Sequence, residues 1–338
     1  MLTVVTGASG FLGAVLVREL LAKGRQVRAV DLERGSALGG LDVEWRSADV
    51  LDPSSLDTAF DGAGVVYHLA AVISVTGDPT GRVWATNVGG VRNVARAALK
   101  ANVRRLIHCS SVHAFDLESA ASVDENSSRA TAAHLPVYDR SKAAGEAELR
   151  SVIESGLDAV IVNPTGVIGP YDFGPSRMGR VFLAMFRRRL PAVIDGSFDW
   201  VDVRDAASSM LAAEVKGRSG ENYLLPGHHL SLADLAAIAA DVTGHRRRLI
   251  TLPMWFARIW GPLADVVSRR SGDPLWYTRE SIHALRFSPT VNGAKAAAEL
   301  DHDPRPMHET VSDMYEWFKQ RGLLGEENGH AYPGFPFN

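Results

Sequence analysis

The sequence LTVVTGASGFLGAVLVRELLAKG, residues 2–24, decides the fold. Its first residues are apolar and largely β-branched, which predicts a strand that ends at Gly7. The apolar residues that follow have helical spacing, and Gly24 supplies a C-terminal cap. Between strand and helix, Gly7, Gly10 and Gly13 stand three residues apart. The first permits a tight turn, the second lets the backbone approach a pyrophosphate, and the third lets the helix pack close to the sheet.

Strand and helix patterns continue to alternate as far as about residue 169. Such alternation predicts an α/β fold, a Rossmann-type doubly wound parallel sheet with helices on both faces. We expect a nucleotide-binding domain over residues 1–168, to which some later segments return. A smaller, mostly helical C-terminal substrate lobe is expected over residues 169–324. Residues 325–338 are rich in Gly, Pro and polar residues, which predicts a loose arm.

Composition narrows the class of protein. The net charge of −3 gives no reason to expect a nucleic acid as partner. Cys109 is the only cysteine, so no internal disulfide forms, which is consistent with a reducing, cytoplasmic location. No signal-peptide pattern precedes the first strand, and no uncharged apolar run reaches about 18 residues, the lower bound for a membrane span. No metal site is predicted.

Asp31 ends the second predicted strand, QVRAVD. At this position an acid accepts hydrogen bonds from the adenosine ribose hydroxyls. The same charge would repel a 2′-phosphate, so the sequence favours NAD over NADP. Arg34 lies close enough to complicate that preference, and its alternative role is a solvated loop charge.

The stretch PVYDRSKAAGEAEL, residues 136–149, contains Tyr138 and Lys142. On a helix these two residues lie on one face, so the ammonium stands close to the phenol. A solvated helix face is the alternative interpretation of so short a pattern. The glycine loop earlier in the chain favours a proton-transfer pair beside a nucleotide cofactor.

Taken together, the motifs resemble those of the extended short-chain dehydrogenases/reductases, the NAD-dependent epimerase/dehydratase superfamily. The motifs are TGASGFLG, the acid Asp31, ADVLD, YHLAA, NVGGVRNV, CSSVHAF, YDRSK and NPTGVIGP. They occur in the family's order over most of the chain. Within the family, the sequence is most similar to the dihydroflavonol-reductase-like and sterol-dehydrogenase-like branch.

The resemblance implies Ser111, Tyr138 and Lys142 as the catalytic residues. It also implies a cofactor site that extends from the glycine loop to the fourth and later strands. Its members are Gly7, Ser9, Gly10, Phe11, Leu12, Gly13, Asp31, Asp49, Val50, Leu69, Ala70, Ala71, Asn87, Tyr138, Lys142, Pro164 and Val167.

The chemistry explains why these residue types are needed. Hydride transfer to a ketone leaves an alkoxide, which must take up a proton. Tyr138 can donate it if the pKa of the phenol falls from about 10 toward neutrality. Lys142 would favour the phenolate, and Ser111 would orient the substrate oxygen. The expected activity is an NAD(P)-dependent interconversion of a ketone and a secondary alcohol.

The expected substrate is a hydrophobic small molecule. Sugar-nucleotide epimerases of the family commonly carry an arginine that grips the diphosphate, and Phe198 occupies its place, with Asp202 in place of a following histidine. Phenylalanine cannot make a bidentate phosphate contact. Substrate contacts are expected from His113, Phe115, Tyr171, Phe173 and Phe198.

Several alternatives stay open. An epimerase or dehydratase that retains its NAD and a non-catalytic NAD-sensing protein are the competing functions. Residues 251–267 carry apolar side chains at helical spacing and predict core, an apolar wall over the substrate, or a face for peripheral membrane contact. A homodimer is expected only by analogy with the family.

Overall fold

The computed structural model describes residues 1–190, 192–244, 249–254 and 279–325. The strands are β1 Leu2–Thr6, β2 Gln26–Asp31, β3 Glu44–Ser47, β4 Ala63–His68, β5 Arg105–Cys109, β6 Ser122–Val123, β7 Ala159–Pro164, β8 Gly166–Ile168, β9 Ala192–Ile194, β10 Ser197–Asp202, β11 Asn222–Leu225, β12 His228–Ser231, β13 Ile250–Leu252 and β14 Thr290–Val291. The helices are α1 Phe11–Ala22, α2 Pro53–Phe60, α3 Arg82–Trp84, α4 Val91–Lys100, α5 Val137–Ile153, α6 Arg177–Phe186, α7 Val203–Lys216, α8 Leu232–Val242, α9 Arg279–Arg286, α10 Ala294–Leu300 and α11 Met307–Gln320. A π-helical turn, Ala85–Gly90, joins α3 to α4.

A seven-stranded parallel sheet forms the centre, in the order β11-β7-β5-β4-β1-β2-β3. Its inner strands are nearly continuous apolar runs, as expected of strands covered on both faces. Every residue of β7 is buried, for example. The reversal of strand order beside β1 confirms the predicted doubly wound sheet and places a crevice at the carboxyl ends of β1 and β4.

Helices cover both faces of this sheet. On one face α1 and α7 bury Leu16, Leu20 and Met210 against the strands. On the other face α2, α4 and α5 bury Leu56, Val94 and Leu149. Although β11 and α7 come after residue 169 in sequence, β11 is an edge strand of this sheet and α7 packs on it.

The rest of the C-terminal half builds a smaller unit with its own apolar core. Phe182 on α6, Leu235 on α8 and Phe318 on α11 lie in that core. Short sheets support it, in the orders β12-β10-β8, β13-β9 and β14-β6. Among the described residues of this unit helix outweighs strand, in agreement with the predicted fold class.

Two segments with predicted roles lie outside the described residues. They are the apolar stretch 255–267 and the arm 326–338, and their roles stay predictions. Within the described part of the chain, no helix is both long and apolar enough to cross a membrane.

Candidate active site

The loop after β1 has the conformation that its glycines predict. Gly7 has a φ of +69°, and a Cβ on it would stand 2.6 Å from the backbone nitrogen of Ala70. The Gly10 N–H donates to the Gly7 carbonyl at 3.1 Å, and the first turn of α1 follows. The result is a bare-backbone cradle at a helix N-terminus, whose free N–H groups and positive dipole end suit a pyrophosphate.

Asp31 lies beside this cradle at the end of β2. Its Oδ2 accepts from the Ser9 N–H at 3.0 Å and its Oδ1 from the Leu32 N–H at 2.9 Å. The Ser9 hydroxyl in turn donates to the Glu33 carbonyl at 3.0 Å. These bonds fix the carboxylate at the mouth of the crevice, so Ser9 acts by positioning the loop.

Two adjoining cavities run along the carboxyl edge of the sheet. The outer cavity, of about 290 Å³, is lined by Asp31, Asp49, Val50 and Ala70, among others. The inner cavity, of about 420 Å³, is lined by Phe11, Leu12, Gly13, Pro164 and Val167, and by the three predicted catalytic residues. Gly7, Gly10, Leu69 and Ala71 line both cavities. Because they share these residues, the two cavities form one continuous crevice, with Asp31 at its outer end.

Asn87 supports the crevice from behind. It is buried, and its side chain both donates to and accepts from the backbone of Val72, each at 2.9 Å. A third bond runs from Nδ2 to the Ser141 hydroxyl at 3.0 Å. Asn87 thus holds the loop after β4 against α5 and lines neither cavity itself.

Ser111, Tyr138 and Lys142 meet in the inner cavity. Ser111 follows β5, whereas the other two residues lie one turn apart on α5. Ser111 stands beside Tyr138, close enough for hydrogen bonding by its hydroxyl to lower the pKa of the phenol. Lys142 Nζ lies 6.0 Å from the centre of the Tyr138 ring and donates to the Cys109 carbonyl at 3.3 Å.

Burial dominates the charge states of this set. It raises the pKa of the Tyr138 phenol, although the hydrogen bond with Ser111 acts in the opposite direction. Burial also lowers the pKa of Lys142, against the opposing effects of Cys109 and Glu146. The expected drop in the pKa of Tyr138 toward neutrality is therefore not produced by these residues alone, because burial outweighs them. At neutral pH the phenol carries its proton, as a donor to an alkoxide must.

A family model described as the NAD dependent epimerase/dehydratase family matches residues 3–225. The chain belongs to this family. The protein is therefore an NAD(P)-dependent enzyme of the extended short-chain dehydrogenase/reductase type, whose chemistry concerns hydroxyl and keto groups. Gly7, Asp31 and Lys142 stand where that cofactor would be held.

Several known proteins are similar to this chain over nearly its whole length. Sterol demethylase protein B of Methylococcus capsulatus is 33% identical over 329 residues, which cover 96% of this chain and 100% of that protein. A dihydroflavonol 4-reductase-like protein of Synechocystis sp. is 30% identical over 331 residues, 95% of each chain. The crystal structure of gox2253 has a TM-score of 0.82 at 30% identity and covers 96% of this chain and 99% of its own.

A second pair of side chains, those of His113 and Asp139, lies beside Ser111 and Tyr138 in the inner cavity. His113 Nδ1 lies 3.1 Å from Asp139 Oδ1, within ion-pair distance but without a well-formed hydrogen bond. Burial alone would lower the pKa of His113, but the charge of Asp139 outweighs it and raises the pKa. The imidazole is stacked on Phe198, with ring centres 5.6 Å apart, and its edge meets Tyr138 at the same separation.

Of the five predicted substrate contacts, the structure brings only His113 and Phe198 to the inner cavity. Phe115 is fully buried in the core of the second lobe, with the Arg129 guanidinium 4.0 Å from its ring centre. Tyr171 and Phe173 each pack on Trp317, with ring centres 4.9 Å apart. These three aromatics pack against other parts of the fold and do not line the inner cavity among the described residues, so their role as substrate contacts stays a prediction.

Phe198 and Asp202, the two residues that depart from the epimerase pattern, are both buried. Phe198, on β10, is buried against His113 and Trp200. Asp202 is buried too, accepts from the Arg204 N–H at 2.8 Å as the N-cap of α7, and pairs with the Arg204 side chain. Asp202 is therefore structural.

Sequence reasoning missed three titratable residues of the inner cavity, Asp139, Glu280 and His283. Asp139 follows Tyr138 within the quoted motif, and its position in the first turn of α5 was the available signal. Glu280 and His283 lie on α9, about 140 residues further along. Since no motif links that helix to the catalytic residues, only the fold brings them together.

Proposed function

We propose that this protein interconverts a ketone and a secondary alcohol on a hydrophobic small molecule, with NAD as the hydride carrier. One observation carries the proposal. The catalytic hydroxyls of Ser111 and Tyr138 face a cavity with predominantly apolar walls, in which the described lining residues include no arginine.

The residues of this chain have separate tasks in the reaction. Ser111 holds the substrate oxygen by a hydrogen bond, and Tyr138 donates a proton to it in the reducing direction or removes one in the oxidising direction. Lys142 keeps a positive charge one turn away, which favours the phenolate form of Tyr138. A nicotinamide bound beside these residues would supply or accept the hydride, and the positive charge of its oxidised form would favour the phenolate form of Tyr138.

The walls of the inner cavity support an apolar substrate. Phe11, Ile73, Val75, Phe198 and Ala284 line it. A diphosphate would require cations, and Lys142 is the only Lys or Arg among the described lining residues. The names of the two relatives, a sterol demethylase protein and a dihydroflavonol 4-reductase-like protein, agree with a largely apolar substrate.

The choice of NAD rests on Asp31. Its carboxylate is held at the adenosine end of the crevice by the N–H groups of Ser9 and Leu32. A fixed negative charge there attracts ribose hydroxyls and repels a 2′-phosphate. Arg82 also lines this end of the crevice, so the preference is expected to be incomplete.

The proposal extends to assembly and location. We propose that the protein forms a homodimer through α4 and α5, two helices that an Arg92–Glu148 ion pair links within one subunit. We also propose that the enzyme is cytoplasmic. Light scattering after size-exclusion chromatography measures the assembly, and a monomer at micromolar concentration would contradict it.

A substrate screen tests the activity. The purified protein is given hydrophobic ketones with NADH or NADPH, and hydrophobic secondary alcohols with the oxidised cofactors, and the nicotinamide absorbance is followed. We expect turnover with NAD(H), and loss of turnover in Tyr138→Phe with cofactor binding retained. Tyr315→Phe removes a hydroxyl far from the cavity and should behave as wild type.

The competing functions give different results in the same experiment. Protein that is purified with stoichiometric NAD and turns over nucleotide sugars without net redox change is an epimerase or dehydratase. Protein that binds NAD but converts no ketone, alcohol or nucleotide sugar is a sensor. Near-normal activity of Tyr138→Phe would contradict the mechanism itself.

A further inference from the structure

The side chains of His113 and Asp139 lie in the inner cavity but have no task in the proposed hydride transfer. Each stands close in sequence to a catalytic residue, two positions after Ser111 and one after Tyr138. The Ser111 hydroxyl accepts from the His113 N–H at 3.2 Å, which fixes the turn that carries the imidazole. The two catalytic side chains and the two flanking side chains therefore lie side by side in one cavity.

The imidazole ring is held in one orientation. Phe198 lies nearly parallel to it at an interplanar angle of 17°, and Tyr138 meets its edge at 65°. Asp139 faces Nδ1 at 3.1 Å. Nδ1 makes no well-formed hydrogen bond. Nε2 makes no hydrogen bond with the described residues, and His113 lines the inner cavity. The second ring nitrogen is thus left for a ligand beside the reacting oxygen.

We propose that His113, positioned by Asp139, is a specificity-determining residue that hydrogen-bonds a second oxygen of the substrate through Nε2. The substrate is then an apolar ketone or alcohol with a neutral oxygen, a carbonyl or a hydroxyl, on a carbon near the reacting one. This inference rests on the proposed ketone–alcohol reaction at the same site.

The charges around His113 favour a neutral oxygen over an anion. Asp139 and Lys142 face it from α5, and Glu280 and His283 line the cavity from α9. Burial raises the pKa of Glu280, and the nearby negative charge of Asp139 raises it further. A substrate carboxylate would meet two acids here, whereas a neutral oxygen meets no such repulsion.

The position of Asp139 also sets what Nε2 can do. The negative charge of Asp139, 3.1 Å from Nδ1, favours the tautomer with its proton on Nδ1. Nε2 then accepts a hydrogen bond when the ring is neutral and donates one when it is protonated. A hydroxyl can pair with either form. A carbonyl pairs only with the protonated ring, so binding of a second carbonyl should weaken as pH rises through the pKa of His113.

Matched ketones test the inference. One pair is tetralone with and without a hydroxyl on the carbon next to the carbonyl, and the other is a long-chain β-keto ester and the plain ketone of equal length. The ratio of kcat/KM within each pair is measured for wild type, His113→Phe and His113→Gln. Phenylalanine keeps the stacking on Phe198 but makes no hydrogen bond, whereas glutamine keeps a polar group.

We expect His113→Phe to lower the ratio in each pair by about tenfold or more. His113→Gln should keep a large part of the wild-type ratio. In wild type the ratio for the keto ester should fall with rising pH and that for the hydroxy ketone should stay level. His308→Gln, at an exposed histidine paired with Asp241, is the matched control and should leave rates and ratios unchanged.

The possible failures are distinguishable. If the wild type turns over the ketones and His113→Phe leaves the ratio of kcat/KM unchanged, this inference is wrong and the proposed function still holds. No turnover of any ketone with either cofactor overturns the proposed function and this inference with it. If His113→Phe does not fold, as judged by NADH binding, Asp139→Asn decides. Its loss of charge should move the pH dependence of the keto-ester ratio to lower pH, and an unmoved profile overturns the inference.

Discussion

A Cβ on Gly13 would stand 2.1 Å from the carbonyl oxygen of Gly7, so α1 and the loop before it touch backbone to backbone. The Gly13→Ala substitution must move one of the two segments. We expect a loss of about 1–3 kcal/mol in the free energy of unfolding, as for other overpacked sites. Because the same loop forms the predicted pyrophosphate cradle, the Kd for NADH should rise by about tenfold. Urea unfolding and NADH fluorescence titration measure the two effects.

Gly174→Ala provides the control for that prediction. A Cβ on Gly174 meets nothing within 4 Å, and its backbone does not adopt a positive φ. Both stability and NADH affinity should stay near wild type. Equal behaviour of the two variants would mean that the contact between Gly7 and Gly13 is looser than the structure has it.

Asp31→Asn should change the choice of cofactor. The amide keeps a hydrogen-bond acceptor for the Ser9 N–H but loses the charge that repels a 2′-phosphate. We expect the Kd for NADH to rise by about tenfold, the loss of one hydrogen bond to a charged group, while the Kd for NADPH falls or stays level. Titration with both cofactors measures the change. The exposed Asp42→Asn controls for net charge, and an NADPH preference already present in wild type would contradict the role of Asp31.

Glu146 is linked to Ser111 through the buried amide of Asn163. Its Oε1 accepts from Asn163 Nδ2 at 2.7 Å, and the same nitrogen donates to the Ser111 carbonyl at 2.9 Å. Arg129 lies 2.9 Å from its Oε2, and Glu146 is almost fully buried. Glu146→Ala removes the buried acceptor of Asn163 and the charged partner of the partly buried Arg129, so we expect a loss of about 1–3 kcal/mol in the free energy of unfolding. Turnover should fall as well, because Ser111 loses its support.

Glu148→Ala is the matched control, two residues further along α5. Its ion pair with Arg92 is partly exposed to solvent, and such pairs contribute about 0–1 kcal/mol. Urea unfolding of the two variants separates the buried network from general effects on the helix. A similar small loss in both would show that the bonds of Glu146 carry little stability.

Local patterns were sufficient to predict the sheet, the glycine cradle and the meeting of Ser111 with Tyr138. A parallel sheet brings the ends of its strands to one edge, so residues after β1, β4 and β5 converge whatever the intervening lengths. The roles of Asp31 and the catalytic residues stay predictions, but their positions follow from that topology.

The substrate side could not be predicted in the same way. Phe115, Tyr171 and Phe173 are close in sequence to the cleft, yet an aromatic ring is stabilised equally by a core or by an arginine, and sequence does not say which neighbour it finds. Conversely, Glu280 reaches the cavity from a helix that carries no motif. The pKa of Tyr138 also required coordinates, because burial is the largest influence on it.

Asp172 makes stability depend on pH. It is almost fully buried, its Oδ2 accepts from the Ser176 N–H at 2.7 Å, and its Oδ1 has no partner in the described part of the chain. Burial raises its pKa from 3.8 to about 6. The folded protein therefore holds this proton more tightly than the unfolded chain does. The stability that this group contributes is full below about pH 4 and is lost as the pH rises through about 6.

Asp172→Asn removes that dependence, because an amide cannot ionise and its NH₂ group can occupy the place of the unpaired oxygen. We expect the variant to gain stability relative to wild type as the pH rises from 4 to 8. The gain should level off above pH 7 at up to roughly 3 kcal/mol, the equivalent of about two pKa units. Urea unfolding of both proteins at several pH values measures the difference. Curves that run parallel across this range would show that Asp172 ionises at its ordinary pKa in the folded protein.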